Sequence, residues 1–154
     1  MLIYFAGPLF NEGERAFNAQ LAAKLEERGF SVYLPQRDGL EKPSVLFREK
    51  TLHEQQKAIF TKDRNHILEA DIFLIILDGR VPDEGACVEL GIASSQKYMG
   101  EKPELLVGYM TDWRAFFPEV KLNAMVDGAL DVVVDNEDDL FAELAAWSPS
   151  MSAV

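Results

Sequence analysis

Ile72-Phe73-Leu74-Ile75-Ile76-Leu77, followed after a short break by Pro82-Asp83-Glu84-Gly85-Ala86-Cys87-Val88-Glu89-Leu90-Gly91, is the stretch whose reading decides the fold. The first run has the length and β-branched content of a buried strand. The second opens a helix expected to reach about Tyr98, so the passage reads strand, loop, helix. Asp83 stands where an N-cap belongs, because its carboxylate can accept from the free amides of the first turn. Glu89 has Gly85 and Ala86 one turn before it on its own face. Helical side chains lean toward the N-terminus, so the Glu89 carboxylate is expected to project over these two small residues, toward the positive end of the helix dipole. A ligand would have room beside it. An Asp cap and a Glu on a solvated helix face account for the same residues without any function, so the rest of the chain has to decide.

Working outward, Leu2-Ile3-Tyr4-Phe5-Ala6 reads as a central parallel strand stopped by Gly7-Pro8. Asn11 and Glu14 have the spacing of a capping box, and Phe17, Leu21 and Leu25 give the following helix a core stripe that ends at Gly29. Residues 30–34 predict a short second strand ended by Pro35. Residues 36–47 read as a loop long enough to cover a pocket, and residues 49–69 as a long helix. Beyond the central passage, 104–109 predicts a fourth strand, 111–118 an aromatic-rich loop, 123–127 a helical turn and 131–134 a fifth strand. A final helix follows, capped by Asp135 or Asn136, with Leu140, Phe141, Leu144 and Trp147 as its apolar stripe. Residues 148–154 are expected to be a frayed tail after one domain spanning 1–147. Alternating strands and helices imply a doubly wound α/β domain, a five-stranded parallel sheet with helices on both faces. Ligands of such sheets sit beyond the carboxyl ends of the strands, where Gly7 to Phe10, Gln36 to Asp38 and Asp83 to Glu89 would gather.

Composition narrows the partners. The 154 residues are 48% hydrophobic, enough for a sizeable core, and the formal net charge of −11 disfavours nucleic acid and anionic membranes. No apolar run reaches membrane-spanning length, and Met1 leads directly into a strand-like segment, so a cytoplasmic location is expected. The single cysteine, Cys87, makes no internal disulfide and reads as a small thiol packed in the helix. His53 and His66 lack metal spacing and read as ordinary surface or half-buried residues, so no metal is expected.

The helix at 49–69 carries an anomaly. Ile59 and Ile67 lie on one stripe, and midway between them stands Asp63 rather than an apolar residue. Burial disfavours the ionised form, which makes Asp63 a candidate proton donor; pairing with Lys62 or Arg64 is the alternative. The first loop, Ala6-Gly7-Pro8-Leu9-Phe10-Asn11-Glu12-Gly13, lacks the glycine spacing of a dinucleotide site or a P-loop, so no nucleotide cofactor is expected. It is also acidic, which favours an uncharged ligand with a flat ring lying against Phe10 over a phosphate monoester.

Four segments in order resemble the nucleoside 2-deoxyribosyltransferase family: Ile3-Tyr4-Phe5-Ala6-Gly7-Pro8-Leu9-Phe10, the helix acid Asp63, the Asp83-x-Gly85-x5-Gly91 passage enclosing Glu89, and Asn123-Ala124-Met125-Val126-Asp127-Gly128. The resemblance implies retaining transfer of 2-deoxyribose between 2′-deoxynucleosides and free nucleobases, without a cofactor. It implies Glu89 as nucleophile, Tyr4 as the residue that orients it, Asp63 as the acid that protonates the departing base, and Asp83 on the sugar 5′-hydroxyl. Asn123 would reach that hydroxyl from a neighbouring subunit, making the protein a homo-oligomer with shared sites. Gly7, Phe10, Gln36 and Asp38 fall where the family contacts substrate, Phe10, Gln36 and Asp38 against the base. The chain continues past Trp147, so no role passes to its terminus. Whether pyrimidines are accepted beside purines stays open. A deoxynucleoside 5′-monophosphate hydrolase would want phosphate-binding Ser and Arg where this chain has Leu9, Phe10 and Glu12. A non-catalytic nucleoside-binding module would not need the Glu89 carboxylate as a nucleophile. The residue chemistry agrees with the transferase, since retaining glycosyl transfer needs one ionised and one protonated carboxyl, and the two environments are expected to push their pKa values apart.

Overall fold

Five strands form one sheet in the order β2-β1-β3-β4-β5, and every neighbouring pair is parallel. The computed structural model describes residues 1–40, 45–112 and 122–147. The strands are β1 (Leu2–Ala6), β2 (Ser31–Tyr33), β3 (Ile72–Ile76), β4 (Leu105–Tyr109) and β5 (Val132–Val134). The helices are α1 (Glu12–Glu27), α2 (Pro35–Asp38), α3 (Val45–Arg48), α4 (Leu52–Glu69), α5 (Glu84–Tyr98), α6 (Ala124–Asp127) and α7 (Glu137–Trp147).

Parallel neighbours need crossover connections, and the crossovers here cover both faces of the sheet. Helices α1 and α7 bring Leu21, Leu25, Leu140 and Leu144 against Ile3, Phe5, Ile72 and Leu74. On the opposite face α4 and α5 bring Ile67, Leu90 and Ala93 against Tyr4, Ala6, Phe73 and Ile75. Alternation along each strand decides which face a side chain joins, so Tyr4 and its register partner Tyr33 both face α4 and α5. This is the doubly wound parallel architecture that the alternating pattern implies.

Local chemistry sets the helix starts. Asn11 and Glu14 form the expected capping box, and Thr51 and Glu54 form another that starts α4. Helix α4 therefore begins at Leu52, three residues later than the expected 49. Asn136, not Asp135, closes the start of α7 by accepting from the Asp139 amide at 2.9 Å. The segment 36–47, expected to be loop, holds two short helices instead. Pro35, read as a stop signal, is the first residue of α2, a place where its missing N–H costs nothing. The second is α3; residues 41–44, in the same segment, lie outside the described residues, as do most of the aromatic-rich loop and the tail at 148–154.

Gly7 closes β1 at φ +157°, and a Cβ built there would lie 2.9 Å from Cβ of Ile76. The loop over the sheet edge thus runs directly against β3. Gly7→Ala is expected to destabilise the fold by about 1–3 kcal/mol, read as a lower urea midpoint at unchanged slope.

Candidate active site

Tyr4 on β1 and Glu89 on α5 meet at the sheet. The Tyr4 hydroxyl donates to Oε1 of Glu89 at 2.6 Å, a short bond of the kind made to a carboxylate. Tyr4 is fully buried, and burial together with the charges of Glu89 and Asp63 pushes its pKa far above the ordinary tyrosine range, so it remains a donor. Its ring stacks between neighbouring strands, 5.4 Å from Tyr33 and 5.6 Å from Phe73. The row Tyr33, Tyr4, Phe73 follows strand register across β2, β1 and β3.

Asp63 projects from α4 to the same row. Its Oδ1 accepts from the Tyr33 hydroxyl at 2.9 Å. The alternative pairings do not form: Arg64 bonds to Asn65, and the Lys62 ammonium donates to the carbonyl oxygen of Asp38. Burial raises the Asp63 pKa despite the Tyr33 hydrogen bond and the charges of His66 and Lys62, which act to lower it.

Glu89 is pushed up to about 7, first by burial; the Tyr4 hydrogen bond opposes this, and the charges of Asp63 and Asp83 add to it. The expectation that the helix dipole favours ionised Glu89 is therefore corrected. Both carboxyls are raised, each first by its own desolvation, and the charge of Asp63 adds to the rise at Glu89.

Asp83 caps α5, its Oδ2 accepting from the Ala86 amide at 2.8 Å, and Gly85 keeps the turn clear, since a Cβ there would sit 3.1 Å from that oxygen. Beside Asp83 opens a cleft of about 430 Å³ lined by Pro8, Phe10, Glu14, Asp78, Gly79, Val81, Pro82 and Glu84. Four of the lining side chains, counting Asp83, are acidic and none is basic. Phe10 stands at its lip, 74% exposed.

The remaining candidates are held differently. Gln36 is tied to α1, its Oε1 accepting from Asn18 at 3.1 Å and its Nε2 donating to the Arg15 carbonyl at 2.8 Å. Asp38 accepts from the Leu34 amide and from Arg37, and these bonds outweigh burial and hold its carboxyl below the ordinary range. Asn123 caps α6 through the Met125 amide and is exposed; no hydrogen bond joins it to Glu89, Asp63 or Tyr4. Cys87 is half-buried rather than enclosed. Among the described residues no cluster of His, Cys, Asp and Glu is arranged to hold a metal, and no helix is long and apolar enough to cross a membrane.

Three residues of this region escape sequence reasoning. Tyr33 is a single aromatic in a three-residue strand, and only its register with Tyr4 marks it. His66, read as ordinary, stacks on the Tyr33 ring at 3.8 Å. Its spacing of three from Asp63 on one helix was the available signal. Asn18, 3% exposed, bridges Gln36 and the Pro8 carbonyl and was hidden on a mostly apolar stripe.

Solved structures share this fold. No curated protein sequence matches the chain. Among solved structures, a conserved protein from Enterococcus faecalis V583 is 26% identical with a TM-score of 0.74, covering 95% of this chain and 98% of its own. A 2-deoxyribosyltransferase from the psychrotolerant bacterium Bacillus psychrosaccharolyticus is 24% identical with a TM-score of 0.71, covering 91% and 90%. A 2-deoxyribosyltransferase from Leishmania mexicana, at 21% identity and a TM-score of 0.62 over 94% and 97%, has the same fold. The family model for nucleoside 2-deoxyribosyltransferase matches residues 3–142, a span that takes in Tyr4, Asp63, Asp83, Glu89 and Asn123 together, and the chain belongs to that family.

Proposed function

We propose that this protein transfers 2-deoxyribose between nucleobases through a covalent intermediate on Glu89. The observation that carries the reading is the 2.6 Å bond from Tyr4 to Glu89, which engages one carboxylate oxygen and leaves the other for C1′ of a 2′-deoxynucleoside. In the first step a bond forms between a Glu89 oxygen and C1′ as the C1′–N bond breaks. The bonding pair goes to the base nitrogen, which takes its proton from Asp63. In the second step a nitrogen of an incoming base attacks C1′ on the face first occupied, the ester breaks, and that nitrogen returns a proton to Asp63. Two inversions give net retention.

Asp83 and the acidic cleft beside it suit a sugar 5′-hydroxyl. A 5′-phosphate there would meet Glu14, Asp78, Asp83 and Glu84 without a basic lining residue, and this argues against the hydrolase of deoxynucleoside monophosphates. Asn123 is read as the residue a second copy supplies, consistent with its exposure, and the protein as a homo-oligomer. Gly7, Phe10, Gln36 and Asp38 are read as the rim around the substrate; Gln36 and Asp38 act through fixed orientation, since the fold engages both.

Incubation with deoxyinosine and free adenine tests the reading. Deoxyadenosine and hypoxanthine appearing together support transfer; hypoxanthine with free deoxyribose and no deoxyadenosine indicates hydrolysis and contradicts it.

Glu89 must be ionised to attack, and Asp63 protonated to release a base that leaves neutral, so the pH dependence is donor-specific. kcat/KM for deoxyinosine is expected to follow a bell with one limb at Glu89, near 7. A 7-methylated purine donor is already cationic and needs only ionised Glu89, so its kcat/KM rises through about 7. Tyr4→Phe removes the bond that favours ionised Glu89, so the limb near 7 is expected to move to higher pH and both rates to drop. Steady-state pH profiles of the two donors check this.

A further inference from the structure

The two carboxylates of the site are held in the same way by neighbouring strands. Tyr4 on β1 donates to Glu89, and Tyr33 on β2, its register partner, donates to Asp63 at 2.9 Å. The rings stack with centroids 5.4 Å apart and planes 22° apart, so each tyrosine limits the other's freedom. Tyr33 is 5% exposed and His66 also stacks on it, at 3.8 Å, which leaves its hydroxyl little room to turn elsewhere. Asp63 lacks the other restraints its helix might give it, because Lys62 and Arg64 are engaged with Asp38 and Asn65.

A buried tyrosine hydroxyl needs a partner, and packing alone would explain one. What packing does not explain is the choice of partner. The hydroxyl is spent on the carboxyl placed to protonate the leaving base, in strand register with a second hydroxyl spent on the nucleophile.

We propose that Tyr33 is a positioning residue for the leaving-group acid: its hydroxyl engages Oδ1 of Asp63, assigns the transferable proton to Oδ2, and stabilises the carboxylate that forms as the base departs. The inference rests on the reading of Asp63 as the proton donor. A hydrogen bond donated to a carboxylate strengthens as its negative charge develops, so the contribution appears in the bond-breaking step and not in substrate binding. Tyr33 would make Asp63 a stronger acid than burial alone allows.

Tyr33→Phe keeps the stacked ring and removes only the hydroxyl. With deoxyinosine as donor, kcat is expected to fall by about 10–100-fold, the range of a hydrogen bond to a charged group, with KM nearly unchanged. With 7-methyl-2′-deoxyguanosine, whose base leaves without a proton, the single-turnover rate of base release should change by less than about twofold, and this donor also reports whether the variant is folded. In an Asp63→Asn background the same substitution should add almost nothing, because the two side chains act as one unit. Equal slowing of both donors by Tyr33→Phe, or full additivity with Asp63→Asn, would overturn the inference. If Asp63→Asn itself slows both donors equally, the assignment of Asp63 fails and the inference with it. If Asp63→Asn is donor-selective and Tyr33→Phe is not, only the inference fails.

Discussion

Glu89→Gln is expected to lose turnover by on the order of 10⁴-fold or more while gaining stability at alkaline pH. The amide keeps the shape of the carboxylate and can still accept from Tyr4, but it forms no ester with C1′. The stability gain follows from the raised pKa. Glu89 titrates near 7 in the folded protein against about 4.5 when unfolded, so between those values the folded state holds more protons and stability falls as pH rises. Below pH 4.5 the penalty is absent; above about pH 7 it is fully present. Gln carries no such penalty, so at pH 8 the variant should exceed the wild type by about 1–3.5 kcal/mol, the upper end being the full shift at 1.4 kcal/mol per unit. The difference should shrink as pH is lowered toward 5. Urea melts at the two pH values check it. A variant that is inactive but no more stable at pH 8 would mean that Glu89 is not strained by burial. A site that holds a desolvated carboxyl at the cost of stability is an expected trade.

Asp63→Asn should divide donors by their leaving groups. General acid catalysis contributes about 10²–10⁴-fold, so deoxyinosine cleavage should slow by that range, whereas a 7-methylated purine donor should slow only slightly. Asn still accepts from Tyr33 and keeps the position filled, so the variant separates proton delivery from packing. Single-turnover release of each base is the measurement. Equal slowing would remove Asp63 from the proton-donor role.

Both expectations depend on how the sheet delivers side chains, and the sequence carried much of that but not all. The buried run at 72–77, the Asp83 cap and the Asn11 box were legible because each is a local pattern with a local cause. The same holds for Asp63, which interrupts an apolar stripe within one helix. Pro35 misled because a proline that stops a strand also suits the first turn of a helix, and local spacing does not distinguish the two. Tyr33 was invisible for a different reason. Its meaning comes from lying opposite Tyr4 in register, and register between β1 and β2 is a long-range property of the folded sheet. The charge state of Glu89 also had to await the fold. Position on α5 suggested a carboxylate favoured by the helix dipole, but the packing of Tyr4 and the proximity of Asp63 and Asp83 make burial and repulsion the larger effects.

The family alone leaves transfer and hydrolysis both available, and the proposed first step, common to both, rests on a half-buried carboxylate held by the Tyr4 hydroxyl and a second carboxyl held by the hydroxyl of its register partner, Tyr33. The fate of the intermediate then turns on whether a base or water reaches C1′. The most direct measurement is mass spectrometry of the protein acid-quenched during turnover of deoxyinosine, followed by peptide mapping. The account predicts a deoxyribosyl adduct on Glu89, present in the wild type, absent from Glu89→Gln and discharged by free adenine. Turnover without any adduct, or an adduct on another residue, would contradict it.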